Sequence, residues 1–436
     1  MRNYYLLIAI IMILLWGYGA HAQERIVSID ELFELCDNNC SSVEISRIGA
    51  QQAAEGVKAA KTALLPEVET SLSVSFLGDG CVIERDFGSG TNADMPHFGN
   101  NFAIKASQVV YAGGAISAGI EQAKIEQRIA EQNVVLTKQN MRFLLLGNYL
   151  ELFKLNNRAT VLEKNIEQTR LLLSHIEKRY EHGTVLQNDI TRYELQLEQL
   201  LLMLSETKNN ARIINHRIVS TLDLPESTSI VPDTTLMHNI LPAKSIEEWQ
   251  KCAEEYNPQL QMAELGVSLQ KQKEKTAKAA KLPQVALVAA NHFDGPITIE
   301  VPTIDKNFNY WYVGVGMRYN LSSLWKAGKK CRIERLGTTR AKENLHHVQE
   351  ENEIAMNSAY IALEQAVQHL KTQEKSVELA TQNYTVVNSR YLNDLALITD
   401  MIDASNAKLN AQLQLVNARI NLIYSYHNLK RVAGTL

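Results

Sequence analysis

Residues 390–403 read RYLNDLALITDMID, and residues 179–189 read RYEHGTVLQND. Arg179-Tyr180 with Asp189 recurs as Arg390-Tyr391 with Asp400, at a constant offset of 211 (390 − 179 and 400 − 189). A chain that carries one signature twice is built from two similar supersecondary units. Two further echoes support this. Ala59-Ala60-Lys61 through Pro66 recurs as Ala279-Ala280-Lys281 through Pro283, and Ser28-Ile29 with Glu31 recurs as Ser245-Ile246 with Glu248.

Both signatures lie in proline-free stretches. All nine prolines fall outside residues 114–224 and 303–436. A proline inside a helix costs about 3 kcal/mol, so their absence permits very long helices. Leu162, Ile166, Thr169, Leu173, Ile176 and Tyr180 alternate spacings of four and three, and Leu409, Leu413, Val416, Ile420 and Ile423 do likewise. This is the narrow apolar seam of helices packed side by side. At 1.5 Å per residue, a run from 114 to 182 is about 100 Å long. His182-Gly183-Thr184 and Asn393-Asp394 interrupt the two runs at matching places. Gly and Asn suit the left-handed geometry of a helix end. The reading is two helical hairpins, at about 114–224 and 324–433.

Strand patterns precede each hairpin. Val68, Thr70, Leu72, Val74 and Phe76 alternate with Glu67, Glu69, Ser71, Ser73 and Ser75. The same period of two sets Phe102, Ile104 and Ala106 against Ala103, Lys105 and Ser107. In the second copy Val285, Leu287 and Ala289 share a face. Trp311, Val313, Val315, Met317, Tyr319 and Leu321 oppose Gly314, Gly316, Arg318 and Asn320. Strands are expected at about 67–77, 100–112, 284–293 and 309–321, with Gly- and Asp-rich loops at 77–98 and 294–308. Ten-residue segments of this kind mark an outer-membrane barrel. A soluble antiparallel sheet with one wet face alternates identically. The export signal and the flanking helices favour the barrel. Four strands cannot close one, and open edges do not survive in lipid, so several chains must contribute.

The export signal is Arg2, the apolar stretch Leu6 to Trp16, and the small-x-small site Ala20-His21-Ala22, which predicts a mature chain from Gln23. The domain plan is therefore a signal peptide at 1–22, a first repeat at 23–240 and a second at 241–436. Each repeat opens with a short helix and a helix ahead of its strands. The formal charge of −4 offers no basic surface for nucleic acid. Five scattered cysteines form no disulfide framework. No Cys or His spacing resembles a zinc site, and His175, His182, His346 and His347 read as solvated or packing residues. Ala327-Gly328-Lys329-Lys330 lacks the upstream Gly of a phosphate loop. No catalytic motif is present, and no cofactor is expected.

The duplicated order resembles the TolC family of outer-membrane efflux proteins. So do Tyr111-Ala112-Gly113-Gly114 and the run from Arg390-Tyr391 through Asp400-Met401-Ile402-Asp403 and Asn406-Ala407 to Ala433-Gly434-Thr435-Leu436. The resemblance implies a homotrimer whose four strands per chain make a twelve-stranded barrel, continued by a twelve-helix barrel in the periplasm. It implies a non-enzymatic exit duct for drugs, metals or proteins, docked on a periplasmic adaptor and an inner-membrane pump. Asp400 and Asp403 match the acidic ring of the periplasmic gate, and three-residue spacing puts them on one helix face. Asp189 and Tyr391 match a pair that bridges neighbouring coils. A second bridge uses an Arg where this chain has Ala396. Arg179 with Gly183 keeps the family's adaptor-docking turn, while Arg390 with Asp394 loses the glycine. The alternative is a soluble periplasmic coiled-coil scaffold or adaptor. For Asp400, Asp403 and Asp189 the competing reading is a helix first turn enriched in acids.

Overall fold

The computed structural model describes residues 23–233, 244–300, 303–393 and 395–436. The signal at 1–22, the repeat boundary between 240 and 241, and Asp394 lie outside them. The elements in chain order are β1 (Gln23–Val27), α1 (Ile29–Asn39), α2 (Ser41–Thr62), β2 (Glu67–Phe76), β3 (Gly80–Ile83), β4 (Gly90–Ala93), β5 (Phe98–Tyr111), α3 (Ala115–Glu181) and α4 (Gln187–Thr221). Then come β6 (Thr228–Pro232), α5 (Ile246–Tyr256), α6 (Pro258–Ala279), β7 (Gln284–Gly295), β8 (Phe308–Arg318), α7 (Ser323–Leu392) and α8 (Ile398–Val432).

Local chemistry explains the echoes. Ser28 Oγ accepts from the Glu31 amide at 3.2 Å, and Ser245 Oγ from the Glu248 amide at 3.3 Å. Each serine therefore satisfies an orphan donor at the start of the short helix that follows it. The proline-free runs fold as helices of 67 residues (α3) and 70 residues (α7), each followed by a partner of 35. The first turn is a Schellman cap: the Thr184 amide donates to the Arg179 carbonyl, and Gly183 takes φ 72°. The Leu395 amide donates to the Arg390 carbonyl at 2.8 Å, the same bond 211 residues on. A third such cap ends α8, where Gly434 has φ 77° and a Cβ would collide with the backbone of Tyr256 and Asn257.

The main sheet has strand order β2-β5-β7-β8 and is antiparallel throughout, so β2 and β8 are its edges. The first repeat supplies β2 and β5, the second β7 and β8. Three features depart from expectation. β8 ends at Arg318, so Tyr319 and Leu321 fall in the turn beyond it. The loop at 77–98 holds the hairpin β3–β4, whose four-residue strands are too short to show a period. β1 and β6 pair in parallel, a contact between segments some two hundred residues apart that local pattern cannot announce.

The described residues form two compact units, each assembled from both repeats. One contains the chain up to Ile48, Gln132–Gln261 and Val348–Leu436; the other contains Gly49–Glu131 and Met262–His347. The first unit is centred on Leu145, Leu146 and Tyr149 of α3, packed with Leu32 and Cys36 of α1 and with Ile218 and Leu222 at the end of α4. The Tyr149 hydroxyl donates to the Val27 carbonyl at 2.6 Å and accepts from the Asp233 amide at 2.9 Å; burial pushes its pKa up to about 12. At the edge of this core Asp37 takes two hydrogen bonds from Arg142, at 2.7 and 3.0 Å, and one from Lys138 at 3.1 Å. The second unit contains the main sheet.

Candidate functional site

The main sheet has two chemically opposite faces. Residues paired directly across antiparallel strands share a face. The register Val68↔Ala106↔Ala289↔Val313 aligns apolar residues of all four strands, and Leu72↔Phe102↔Phe293 aligns those of three, with Asn309 opposite on β8. Thr70↔Ile104↔Asn291↔Trp311 lies between these rows, and Leu287↔Val315 and Val285↔Met317 continue the band beyond them. The opposite face carries rows such as Ser71↔Ala103↔His292↔Tyr310 and Glu69↔Lys105↔Ala290↔Tyr312. On that face the rings of His292 and Tyr310 stack at 5.0 Å. The apolar face is exposed in the single chain: Val313, at the midpoint of β8, is 72% exposed. No described helix is long and apolar enough to cross a membrane.

The candidate gate lies in the first unit, where both hairpins turn. Heptad spacing buries Leu162, Ile166, Thr169 and Ile176, but the seam stops there and Tyr180 is 44% exposed. Its repeat counterpart Tyr391 is 5% exposed, in a cluster with Ile176, Ile190, Tyr193, Ile398 and Met401. The guanidinium of Arg179 lies 5.4 Å over the Tyr391 ring, so a cation on the first hairpin faces an aromatic ring on the second. Lys408 Nζ lies 4.3 Å over the Tyr384 ring, and burial lowers its pKa. Gln196 and Asn406 link α4 to α8 at 3.5 Å.

The acids read from the sequence stand beside this cluster, at the starts of α4 and α8. Asp189 Oδ2 accepts from the Leu186 amide at 3.3 Å, and Asp400 Oδ2 from the Leu397 amide at 2.9 Å. Both carboxylates therefore sit over helix N-termini, where partial positive charge favours them. Asp400 and Asp403 are exposed, and Asp189 is half-buried. Arg179 and Gly183 form the first turn. Arg390 is exposed and caps the second through its carbonyl, and Asp394 lies outside the described residues. Ala396 packs against the Tyr391 cluster.

Tyr193 was missed by sequence reasoning. It is 2% exposed, and among the described residues its hydroxyl has no hydrogen-bond partner. Burial raises its pKa, and the neighbouring Tyr391 and Tyr384 add to the rise. The signal was present: Ile190, Tyr193, Leu197, Leu200 and Leu204 alternate spacings of three and four. Among the described residues no group of three or more His, Cys, Asp or Glu could hold a metal ion.

Residues 249–435 match the sequence model of the family described as outer membrane efflux protein. The outer membrane protein TolC of Salmonella enteritidis is 20% identical over 322 residues, covering 72% of this chain and 65% of that relative, a little under two-thirds of its length. Among solved structures, the outer membrane protein VceC of Vibrio cholerae superposes with a TM-score of 0.78 at 15% identity, covering 93% of this chain and 96% of that one. The MtrE outer membrane channel of Neisseria gonorrhoeae gives 0.73 at 12% identity, covering 93% and 88%. Such structural likenesses speak to fold. The TolC-family resemblance is borne out, and with it the fold class, a mainly helical chain with barrel-type strands.

Proposed function

We propose, from that family and fold, that three copies of this chain form an outer-membrane exit duct. β8 of each copy pairs with β2 of the next, which closes a twelve-stranded barrel. The observation that carries this reading is the apolar band held in register across all four strands, between two edges that are open in one chain. Lipid accepts a sheet only when every edge is paired. The band then meets lipid, and the face with Glu69, Lys105 and Arg318 lines a wet bore. The soluble scaffold loses to this, because it needs no such band and its fold is not the one matched.

The duct is passive and non-enzymatic. A periplasmic adaptor and an inner-membrane pump deliver its cargo. The adaptor docks at the hairpin turns around Arg179, Gly183, Arg390 and Asp394. Asp400 and Asp403 supply an acidic ring of six carboxylates at the entrance, which concentrates cations. Asp189 and Tyr391 contribute to its closure. With Ala396 where the family has an Arg, the contact of Arg179 with Tyr391 takes on part of that task.

Single-channel recording of the purified mature protein in planar bilayers tests this function. Discrete cation-selective openings are expected, and Asp400→Asn with Asp403→Asn should lower the selectivity and relieve block by trivalent cations. Unchanged selectivity and block would remove both acids from the gate. A protein that never inserts would overturn the duct.

A further inference from the structure

The chain as a whole carries −4, yet two short segments run strongly the other way. Residues 269–282, at the end of α6, hold five lysines from Lys271 to Lys281 against one acid, Glu274. Residues 323–336, at the start of α7, hold five basic residues from Lys326 to Arg335 against one acid, Glu334. The two segments pack together in the second unit. Cys331 Sγ donates to the Ala277 carbonyl at 3.4 Å, Thr338 Oγ1 to Glu274 at 3.3 Å, and Gln270 to Glu334 at 2.8 Å. Glu274 holds Lys278 at 2.9 Å and lies 3.7 Å from Arg335. Among the described residues no ion pair engages the other eight basic side chains.

These segments abut the main sheet. Lys281 and Leu282 lead into β7, and β8 leads through Leu321 and Leu324 into Trp325, which is 66% exposed, and Lys326. An exposed Trp beside lysines, seven residues beyond an apolar-faced strand (325 − 318), is the composition of a membrane–water interface. We propose that this basic patch binds the acidic headgroups of phospholipids in the leaflet next to the helices. The proposal rests on the barrel reading above, since it takes the apolar band as the neighbouring lipid contact. Two features favour phospholipid as the occupant. The charge is complementary, and the patch adjoins in chain the strands that carry the band, which brings headgroup and acyl-chain contacts close together. Each basic residue near an anionic surface strengthens binding about fivefold.

The test uses the full mature chain in mild detergent with equal amounts of phosphatidylglycerol and phosphatidylethanolamine, and counts retained lipids by native mass spectrometry. Wild type should retain phosphatidylglycerol over phosphatidylethanolamine by about tenfold or more. The combined variant Lys326→Gln, Lys329→Gln, Lys330→Gln and Arg332→Gln should bring the ratio close to even. The charge-keeping variant Lys326→Arg, Lys329→Arg, Lys330→Arg and Arg332→Lys should restore it. Even retention by wild type, or a ratio unmoved by the Gln variant, overturns the proposal. Displacement of phosphatidylglycerol by millimolar inorganic phosphate overturns the lipid assignment in favour of a lone phosphate. Carbonate extraction of cell membranes reads the barrel separately. Protein that stays in the membrane without lipid preference overturns the patch alone. Protein that washes off overturns the barrel, while lipid retention still reads the patch.

Discussion

Val313 and Gly314 are neighbours on β8 that point to opposite faces, and replacing each with Arg separates the proposed lipid face from the proposed bore. Val313 stands at the middle of the strand, on the apolar face and opposite Ala289. Arg near a bilayer midplane on the lipid side of a barrel costs about 2–4 kcal/mol. Three copies in one barrel bring the total to about 6–12 kcal/mol, against a cost near zero for a luminal position. At 1.4 kcal/mol per tenfold, each Val313→Arg site alone lowers the folding equilibrium by about 30- to 700-fold. Gly314 pairs with Val288, and a Cβ there meets nothing within 4 Å, so its Arg has open space. The assay is refolding into lipid vesicles across a urea series, read by heat-modifiable migration of the trimer on gels. Val313→Arg should lose trimer at urea concentrations where wild type and Gly314→Arg keep it. Equal loss in both variants, or greater loss in Gly314→Arg, would refute the face assignment and with it the barrel.

Three further outcomes concern packing and charge. Tyr193→Phe removes a buried hydroxyl that has no partner, so it should leave stability unchanged or raise it by up to about 1 kcal/mol, whereas Tyr193→Ala should cost about 3–5 kcal/mol; thermal unfolding distinguishes them. Burial pushes the Asp37 carboxyl up, but hydrogen bonds from Arg142 and Lys138 outweigh it and hold the pKa below its usual value. That contribution is present above the unfolded pKa of about 3.9 and disappears as pH falls through the lower folded value. The urea midpoint of wild type should therefore drop more steeply from pH 5 to pH 3 than that of Asp37→Asn, and parallel slopes would exclude the ion cluster as a source of acid lability. Gly434→Ala should destabilise by about 2 kcal/mol or more, because a left-handed backbone and a collision with the chain at Tyr256 act together; an unchanged urea midpoint would show that the C-terminal cap is dispensable.

What could be read in advance depended on whether the determinant was local. The alternation from Glu67 to Phe76 declared a strand because its two faces differ sharply in polarity, and the structure forms that strand over those residues. The seam from Leu162 to Ile176 declared a packed helix by its period alone, and Leu162, Ile166, Thr169 and Ile176 are buried while Leu173 is half-buried. Tyr180 obeys the period and is nonetheless exposed, because the cap at Gly183 ends the helix before a partner covers it. Arg179 over Tyr391 joins residues 212 positions apart (391 − 179) on different hairpins, so no window of sequence contains it. Asp189 and Asp400 show a different difficulty. One carboxylate position is compatible with both a gate and a helix N-terminus, and the single chain displays the second role through bonds to Leu186 and Leu397.

The unpaired edges β2 and β8 also carry a consequence for gene dosage. The proposed barrel would close only through three identical seams and would have no partial form that lipid tolerates, so one faulty subunit would spoil the two sound ones it joins. A cell making wild-type and edge-defective chains in equal amounts, mixed at random, would assemble only about one intact trimer in eight. Lesions in either edge strand are thus expected to be dominant, whereas a chain too damaged to reach the membrane at all would be recessive.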